Sequence, residues 1–215
     1  YRRQRQMCIR DRYGKVREIP QNESTPFHPR SPYGVAKTFA HYTAVNYREA
    51  YNMHISSGIL FNHEGEYRGH EFVTRKITHH VALLKNGLIK DFSLGDLNPK
   101  RDWGYAGDYV KAMHAMLQTS SGDDFVIATG ETHSVREFLQ TALDIAELKN
   151  PLETYVKFDQ EMLRPSEVDL LVGDSSKALI KLGWRATTGF EELVRIMVEN
   201  DIDLVRKNKV HNVNK

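Results

Sequence analysis

The amino-acid sequence predicts an α/β fold built on a largely parallel sheet, and three observations carry that expectation. From Tyr13 onward, helical and strand-like patterns alternate along the chain. The strand candidates are short, nearly unbroken apolar runs such as Ile55–Phe61 and Phe125–Ala128, as expected of strands covered on both faces. The helix candidates begin at capping residues or end on glycine.

The elements follow in order. Ser31 and Pro32 open a first helix as N-cap and first-turn proline, and the pattern runs to about Tyr51. Ile55–Phe61 then reads as a buried strand. Phe72–Asn86 is a helix with Val73, Ile77, Val81 and Leu84 on one stripe and Gly87 as its stop. Asp91–Leu94 is a strand, and Ala106–Gln118 is a helix expected to turn Val110, Met113 and Leu117 inward. After the strand at Phe125–Ala128, Ser134 and Glu137 form a capping box that starts the next helix. Residues 148–165 are irregular, with a strand at Tyr155–Phe158. Ser175–Leu182 is a short helix closed by Gly183. A second capping box, Thr188 with Glu191, starts a last amphipathic helix through Val205, and the tail after Lys207 is expected to fray.

Size and composition set bounds on function. A chain of 215 residues can form one full domain, or one domain and a small lobe. With 27% charged and 40% hydrophobic residues it is ordinary globular material. No apolar run approaches the ~20 residues needed to span a bilayer. One cysteine, Cys8, excludes an internal disulfide and any cysteine-based zinc site, so no metal is expected and a reducing, cytoplasmic setting is. The formal charge of +2 is unevenly distributed: residues 1–12 hold five arginines and one aspartate, which leaves 25 basic against 27 acidic residues for the rest. The basicity therefore belongs to a short arm. A nucleic-acid-binding arm is one reading; the preferred one is a non-native assembly scar, because YRRQRQMCIRDR has neither strand alternation nor a helical stripe. No nucleic acid or membrane partner is expected.

Tyr33-Gly-Val-Ala-Lys37 is the first constellation with chemical content. Four residues apart on a helix, the two side chains lie on one face, where an ammonium favours a phenolate and can hold a ribose. A phenol brought down from its usual pKa of ~10 is a usable base for a sugar hydroxyl. The spacing recurs by chance in a chain with ten tyrosines, so its context matters. Pro26 to Pro32 form a proline-braced loop that puts Tyr33 in the first helical turn, and Asn62 and His63 sit at the C-terminal end of the following strand, where open parallel sheets bind ligands. No glycine-rich dinucleotide turn follows an early strand, so the half that would cradle a cofactor pyrophosphate is expected to be missing.

The blocks SPYGVAK, GILFNHE, FVTRKI, SLGDLNPKRDWGYAGDYVKAM, DFVIATGETHSVREF and RPSEVDLLVGD resemble the GDP-mannose 4,6-dehydratases, extended short-chain dehydrogenases, from about Tyr13 to about Arg206. The resemblance implies the C-terminal half of a Rossmann-type doubly wound parallel sheet plus a smaller α/β substrate-binding lobe. Residues 13–130 would supply a partial Rossmann-type domain with interleaved lobe segments, 131–207 mainly the lobe, and 208–215 a frayed tail. It implies Tyr33 as the base at the sugar 4-hydroxyl and Lys37 as its ribose-binding partner. His63 and Arg68 would join them in contacting NADP. Asn62 would touch the sugar nucleotide, Arg101 and Arg164 with Glu167 would hold the GDP moiety of GDP-mannose, and Lys76 would add a phosphate contact. Guanidinium forks suit a diphosphate, and a carboxylate suits ribose hydroxyls or the guanine edge.

Departures are equally specific. Ile9 and Asp11 fall where the family carries a hydroxyl residue and a glutamate, and Ile9 cannot donate a hydrogen bond. The loop Glu64–Arg68 also differs from the family's usual Pro/Arg-rich version. The implied reaction is an internal redox cycle, in which oxidation at C4 acidifies C5, water leaves from C6, and the hydride returns to C6. A chain without a dinucleotide turn or a C5 base is expected to be catalytically inactive. The alternatives are a related nucleotide-sugar epimerase or reductase sharing Tyr-x-x-x-Lys, and a non-catalytic sugar-nucleotide-binding remnant. The resemblance further implies a homodimer or homotetramer formed through helices like Ser31–Tyr51.

Overall fold

The computed structural model describes residues 12–15, 17–159 and 171–213. The elements are α1 (Pro32–Tyr51), β1 (Ser57–Leu60), β2 (Asn62–Glu64), α2 (Val73–Lys85), β3 (Phe92–Leu94), β4 (Lys100–Arg101), β5 (Trp103–Tyr105), α3 (Ala106–Met116), β6 (Asp124–Ile127), β7 (His133–Ser134), α4 (Val135–Ile145), α5 (Leu152–Tyr155), β8 (Val156–Phe158), α6 (Ser176–Leu182) and α7 (Phe190–Val213). They fall into two units that interleave along the chain: residues 1–63, 100–132 and 168–188 form the first, and 64–99, 133–167 and 189–215 the second. Among the described residues no helix is long and apolar enough to cross a membrane.

The first unit is organised by β1 and β6, which pair in parallel with Ile59 opposite Val126 and Leu60 opposite Ile127. Side chains alternate across a strand, so the two apolar runs feed two cores. Leu60, Phe125 and Ile127 point to one face and pack with Tyr109, Ala112 and Met116 of α3, Ala178 of α6, and Trp184. Ile59, Phe61, Val126 and Ala128 point to the other and meet Tyr13, Leu171 and Phe27. That double covering is why both strands read as continuous apolar stretches.

The helix α3 has a different inner face from the expected one. Val110 is 55% exposed, while Tyr109, Ala112 and Met116 are buried and Met113 is only partly so. Both triplets have helical spacing, and periodicity alone does not rank them. The choice is made by Tyr109, whose ring stacks on His63 at 5.4 Å and meets Trp184 edge-on at 5.9 Å. A large aromatic gains more from burial than a valine does. Arg12, counted with the basic arm, is itself 2% exposed and donates from Nη2 to the Gly58 carbonyl at 3.3 Å.

In the second unit, α2, α4 and α7 pack on one another, and β3 pairs in parallel with β8 through Phe92 opposite Val156. Ile77, Val81 and Leu84 face inward from α2 as expected, whereas Val73 lies at the rim, 36% exposed. The Ser134 capping box is present, with the Glu137 amide donating to Ser134 Oγ at 3.1 Å. The expected Thr188 capping box is not what starts α7. The Leu193 amide donates to the Gly189 carbonyl, so Gly189 holds the N-cap position, and the helix runs on to Val213 rather than ending at Val205. Within the irregular 148–165 stretch lies the short helix α5.

A buried polar knot joins α2 to α7. Arg75 Nη2 lies 2.7 Å from Asp201 Oδ1, and Thr78 Oγ1 donates to Asp201 Oδ2 at 2.6 Å, with both charged side chains almost fully buried. Removing one member of such a pair strands the other charge in a poorly solvating interior. Asp201→Ala is therefore expected to lower the unfolding free energy by about 3–5 kcal/mol, read as a fall in urea midpoint at constant slope. The double change Arg75→Met with Asp201→Leu is expected to recover most of that loss. An unchanged midpoint in Asp201→Ala would show that the pair contributes nothing.

Candidate functional site

The best-defined site residues lie in the first unit, at the start of α1. Ser31 caps the helix by accepting the Gly34 amide on Oγ at 3.0 Å, and Pro32 occupies the first turn, where its missing N–H costs nothing. The approach to this cap is tightly built. The amides of Lys15 and His28 form a reciprocal pairing, to the carbonyls of His28 and Arg12 respectively. Gly14, at φ 52°, lies so close to the His28 carbonyl that a Cβ could not be accommodated. Tyr33 emerges from the cap 54% exposed, and Lys37, one turn on, holds its Nζ 5.2 Å from the centre of the Tyr33 ring.

Few contacts seat this helix: of its described residues only Gly34 and His41 are buried. The His41 ring meets Phe27 edge-on at 4.9 Å. Burial pulls the pKa of His41 below the ordinary imidazole value, against the opposing pull of Asp124. The stronger anchor is Arg48, whose guanidinium clasps Asp124 through two bonds of 2.9 and 3.0 Å and also donates to the Ile55 carbonyl at 3.1 Å. Asp124 opens β6, so this fork ties α1 to the sheet.

Asn62 and His63 lie in β2, which pairs with β5. His63 is held from two sides. Its ring stacks on Tyr109, and Nδ1 lies 3.0 Å from the Phe61 carbonyl, a contact in which Nδ1 donates. Arg101 closes β4, 8% exposed, with Nη1 donating to the Lys100 carbonyl at 2.7 Å. The first unit thus contains Tyr33, Lys37, Asn62, His63 and Arg101. Arg68 and Lys76 belong to the second unit. There Arg68 pairs with Glu64 at 3.0 Å and lays its guanidinium 3.4 Å from the centre of the Phe72 ring, while Lys76 is half-buried on α2. Arg164 and Glu167, like Ile9 and Asp11, lie outside the described residues.

Two aspartates beside these positions are absent from the sequence-based assignment. Asp102, following Arg101, is fully buried and accepts the Thr129 amide at 2.9 Å, the Thr129 hydroxyl at 2.7 Å and the Gly130 amide at 3.0 Å. Asp108, in the first turn of α3, accepts the amides of Thr187 and Thr188 at 2.9 and 2.8 Å, the Thr187 hydroxyl at 2.8 Å and Lys111 Nζ at 3.0 Å. Its own carbonyl takes the Trp184 indole N–H at 2.9 Å. The local stretch Lys-Arg-Asp-Trp-Gly-Tyr-Ala-Gly-Asp-Tyr carries no signal for either role, because the backbone donors come from the distant residues Thr129, Gly130, Gly173, Thr187 and Thr188.

The family described as GDP-mannose 4,6 dehydratase matches residues 4–197 of this chain. The GDP-mannose 4,6 dehydratase of Cricetulus griseus is 51% identical over 211 residues, covering 91% of this chain and 57% of that protein. The one from Dictyostelium discoideum is 51% identical over 215 residues, covering 93% of this chain and 60% of its own length. The chain thus spans little more than half the length of these curated relatives. Among solved structures, RMD of Pseudomonas aeruginosa, complexed with NADPH, superposes with a TM-score of 0.82 at 23% identity, over 90% of this chain and 64% of that one. The UDP-glucose 4-epimerase of Thermus thermophilus, complexed with NAD, gives 0.75 at 28% identity, over 89% and 60% of the two chains. The fold is accordingly that of a Rossmann-type epimerase or dehydratase, and the described part fits its C-terminal half.

Asp108 supplies a measurable consequence. Burial pushes its carboxyl up, but the Thr188 and Thr187 amides, Lys111 and the Thr187 hydroxyl together outweigh burial and hold it well below the usual carboxylate range. A folded-state pKa below the unfolded value of ~3.9 gives stability that is complete above that value and lost as pH falls beneath it. Asp108→Asn is expected to cost about 2–3 kcal/mol at neutral pH, because the amide nitrogen cannot accept. The gap to the unaltered protein should begin to narrow below about pH 4, where the unfolded-state carboxyl starts to take up a proton while the native one stays ionised, and should shrink further as pH falls. Urea midpoints from pH 7 to 2 check this, and a gap independent of pH would refute it.

Proposed function

The chain belongs to the GDP-mannose 4,6-dehydratase family, and from that premise we propose that it carries the hydroxyl-deprotonating and sugar-nucleotide-binding portion of such an enzyme, with GDP-mannose as its ligand. The observation that carries the reading is the start of α1: a largely exposed phenol with an ammonium one turn away on the same face.

The pair has a definite chemistry. A positive charge near the ring favours the phenolate, so Tyr33 can take the proton of a sugar hydroxyl placed against its oxygen and return it later. Lys37 holds that charge in place and offers N–H donors to a ribose. We assign the Tyr33–Lys37 pair to the ribose end of a nicotinamide cofactor, which we take to be NADP, and that cofactor would supply the hydride acceptor for oxidation at C4 when bound. The 215 residues contain no Gly-x-x-Gly-x-x-Gly turn for a pyrophosphate. In the first unit we assign Asn62 to the sugar nucleotide, His63 to the cofactor and Arg101 to the diphosphate. Arg68 towards the cofactor and Lys76, Arg164 and Glu167 towards the substrate keep the roles that family resemblance implies. A cytoplasmic setting agrees with the single cysteine.

Self-association belongs to the same proposal. Val35, Phe39 and Tyr42 follow one another at helical spacing on α1 and are 55, 73 and 57% exposed, a stripe that a second copy of the chain would cover. Sedimentation is expected to show a dimer or larger assembly that Phe39→Glu shifts to the monomer; a monomer throughout would remove this part.

Calorimetry tests the main reading. The purified chain is expected to bind GDP-mannose and GDP, and to form no 4-keto product with NADP+ supplied. Tyr33→Phe should leave GDP affinity unchanged, because the phenol faces the sugar rather than the nucleotide. Binding weaker than about 1 mM, roughly −4 kcal/mol, would remove the ligand assignment. Rapid turnover would remove the expected inactivity, and stoichiometric NADPH consumption would favour a reductase.

A further inference from the structure

Asp102 sits between β4 and β5 with no exposed surface. Sealing a carboxylate away from water is costly, and a well-packed apolar residue generally serves stability as well or better. The arrangement around Asp102 therefore calls for a different explanation. Its Oδ1 accepts the amide and the hydroxyl of Thr129 at 2.9 and 2.7 Å, and its Oδ2 accepts the amides of Gly130 and Gly173 at 3.0 and 3.3 Å. Four donors from two separate segments thus converge on one side chain. Thr129 and Gly130 follow the end of β6, and Gly173 belongs to the strand-like segment bridged to Gln21.

Both glycines are needed for that convergence. Gly130 adopts φ 82°, a conformation that L side chains rarely enter, and a Cβ on Gly173 would collide with the side chains of Ala128 and Phe61. An amide side chain of the same shape could not satisfy this cradle, because its nitrogen donates and would face two N–H groups.

The element that this cradle immobilises is the peptide carrying Arg101. Arg101 precedes Asp102 directly, it is largely buried, and its guanidinium already donates to the Lys100 carbonyl. With residue 102 pinned at four points, the backbone direction at residue 101 is set, and with it the direction in which the arginine leaves the chain. A long, flexible cation binds a diphosphate well only when its fork is held before the ligand arrives. We propose that Asp102 is a positioning residue that presets Arg101 for the diphosphate of a nucleotide ligand, an inference that rests on the diphosphate role assigned to Arg101 above. Asp102 itself touches no ligand.

A double-mutant cycle with the full chain tests the inference, with GDP as the calorimetric probe. Arg101→Ala is expected to weaken GDP binding at least about tenfold, the loss of a charge-assisted hydrogen bond. Asp102→Asn should weaken it by a comparable factor with Arg101 intact, and add less than about twofold in the Arg101→Ala background. Full additivity would mean that Asp102 acts on general stability alone, and would overturn the proposal. A second readout needs no ligand. The Arg101 side-chain Nε–H, identified by its loss in Arg101→Lys, is expected to exchange with water about tenfold faster in Asp102→Asn. Unaltered exchange overturns the positioning role whether or not GDP binds. Absence of GDP binding to the unaltered chain instead removes the diphosphate assignment and with it the proposal's ligand. Should Asp102→Asn fail to fold, Thr129→Val deletes only the hydroxyl donor and is expected to move both readouts in the same direction, by about threefold.

Discussion

Buried backbone amides must find acceptors, and in the first unit carboxylates supply several of them. Among the described residues the sheet that contains β1 and β6 has two strands, and β2 pairs separately with β5. On β6 the Val126 amide donates to the Glu23 side chain at 2.7 Å. Beyond the strand ends, Asp102 collects Thr129, Gly130 and Gly173, and Asp108 collects Thr187 and Thr188. Each carboxylate joins segments distant in sequence, so the loops around the strand ends are stitched by side chains. Such stitching has a clear electrostatic cost. Burial pushes Glu23 and Asp102 upward in pKa, whereas around Asp108 the Lys111 ammonium joins the Thr187 and Thr188 donors and together they overcome burial.

The same economy shapes the helix that carries the candidate base. α1 is long but buries only Gly34 and His41, and its far end is held by the Arg48–Asp124 fork. Anchored in this way, α1 presents Tyr33 with Lys37 at its first turn, while the exposed apolar stripe through Val35, Phe39 and Tyr42 runs along a different face of the helix. The braced loop around Gly14 and His28 supplies the fixed entry, and the Ser31 cap supplies the open end.

The second unit follows another logic. Three amphipathic helices bury an aliphatic interior, and one ionic knot, Arg75 with Asp201 and Thr78, sets how α2 lies on α7. Apolar side chains tolerate sliding, whereas a buried pair is satisfied at one register only. Residues as distant in sequence as Thr78 and Asp201 are thereby tied together, and no local pattern reveals such a link.

The alternation of elements, the caps at Ser31 and Ser134 and the doubly covered strands Ile59–Phe61 and Phe125–Ala128 are local properties, and they were legible before any coordinates. So was the spacing of Tyr33 and Lys37, since one helical turn converts sequence distance directly into spatial distance. The inner face of α3 was not legible, because the triplets through Tyr109 and Val110 are equally periodic and only the stack of His63, Tyr109 and Trp184 separates them. The N-cap of α7 at Gly189, one residue beyond Thr188, was not legible either, and Thr188 instead gives its amide to Asp108. By itself, then, the sequence determined the fold class, the family and the one-turn pair at the head of α1, all of which rest on short-range spacing or on matching blocks of residues. Only the tertiary structure decided that Asp102, Asp108 and Asp124 are the acceptors that hold the loops and α1 in place, because the donors from those loops and from α1 lie 27 to 80 residues away and meet them only once the chain has folded.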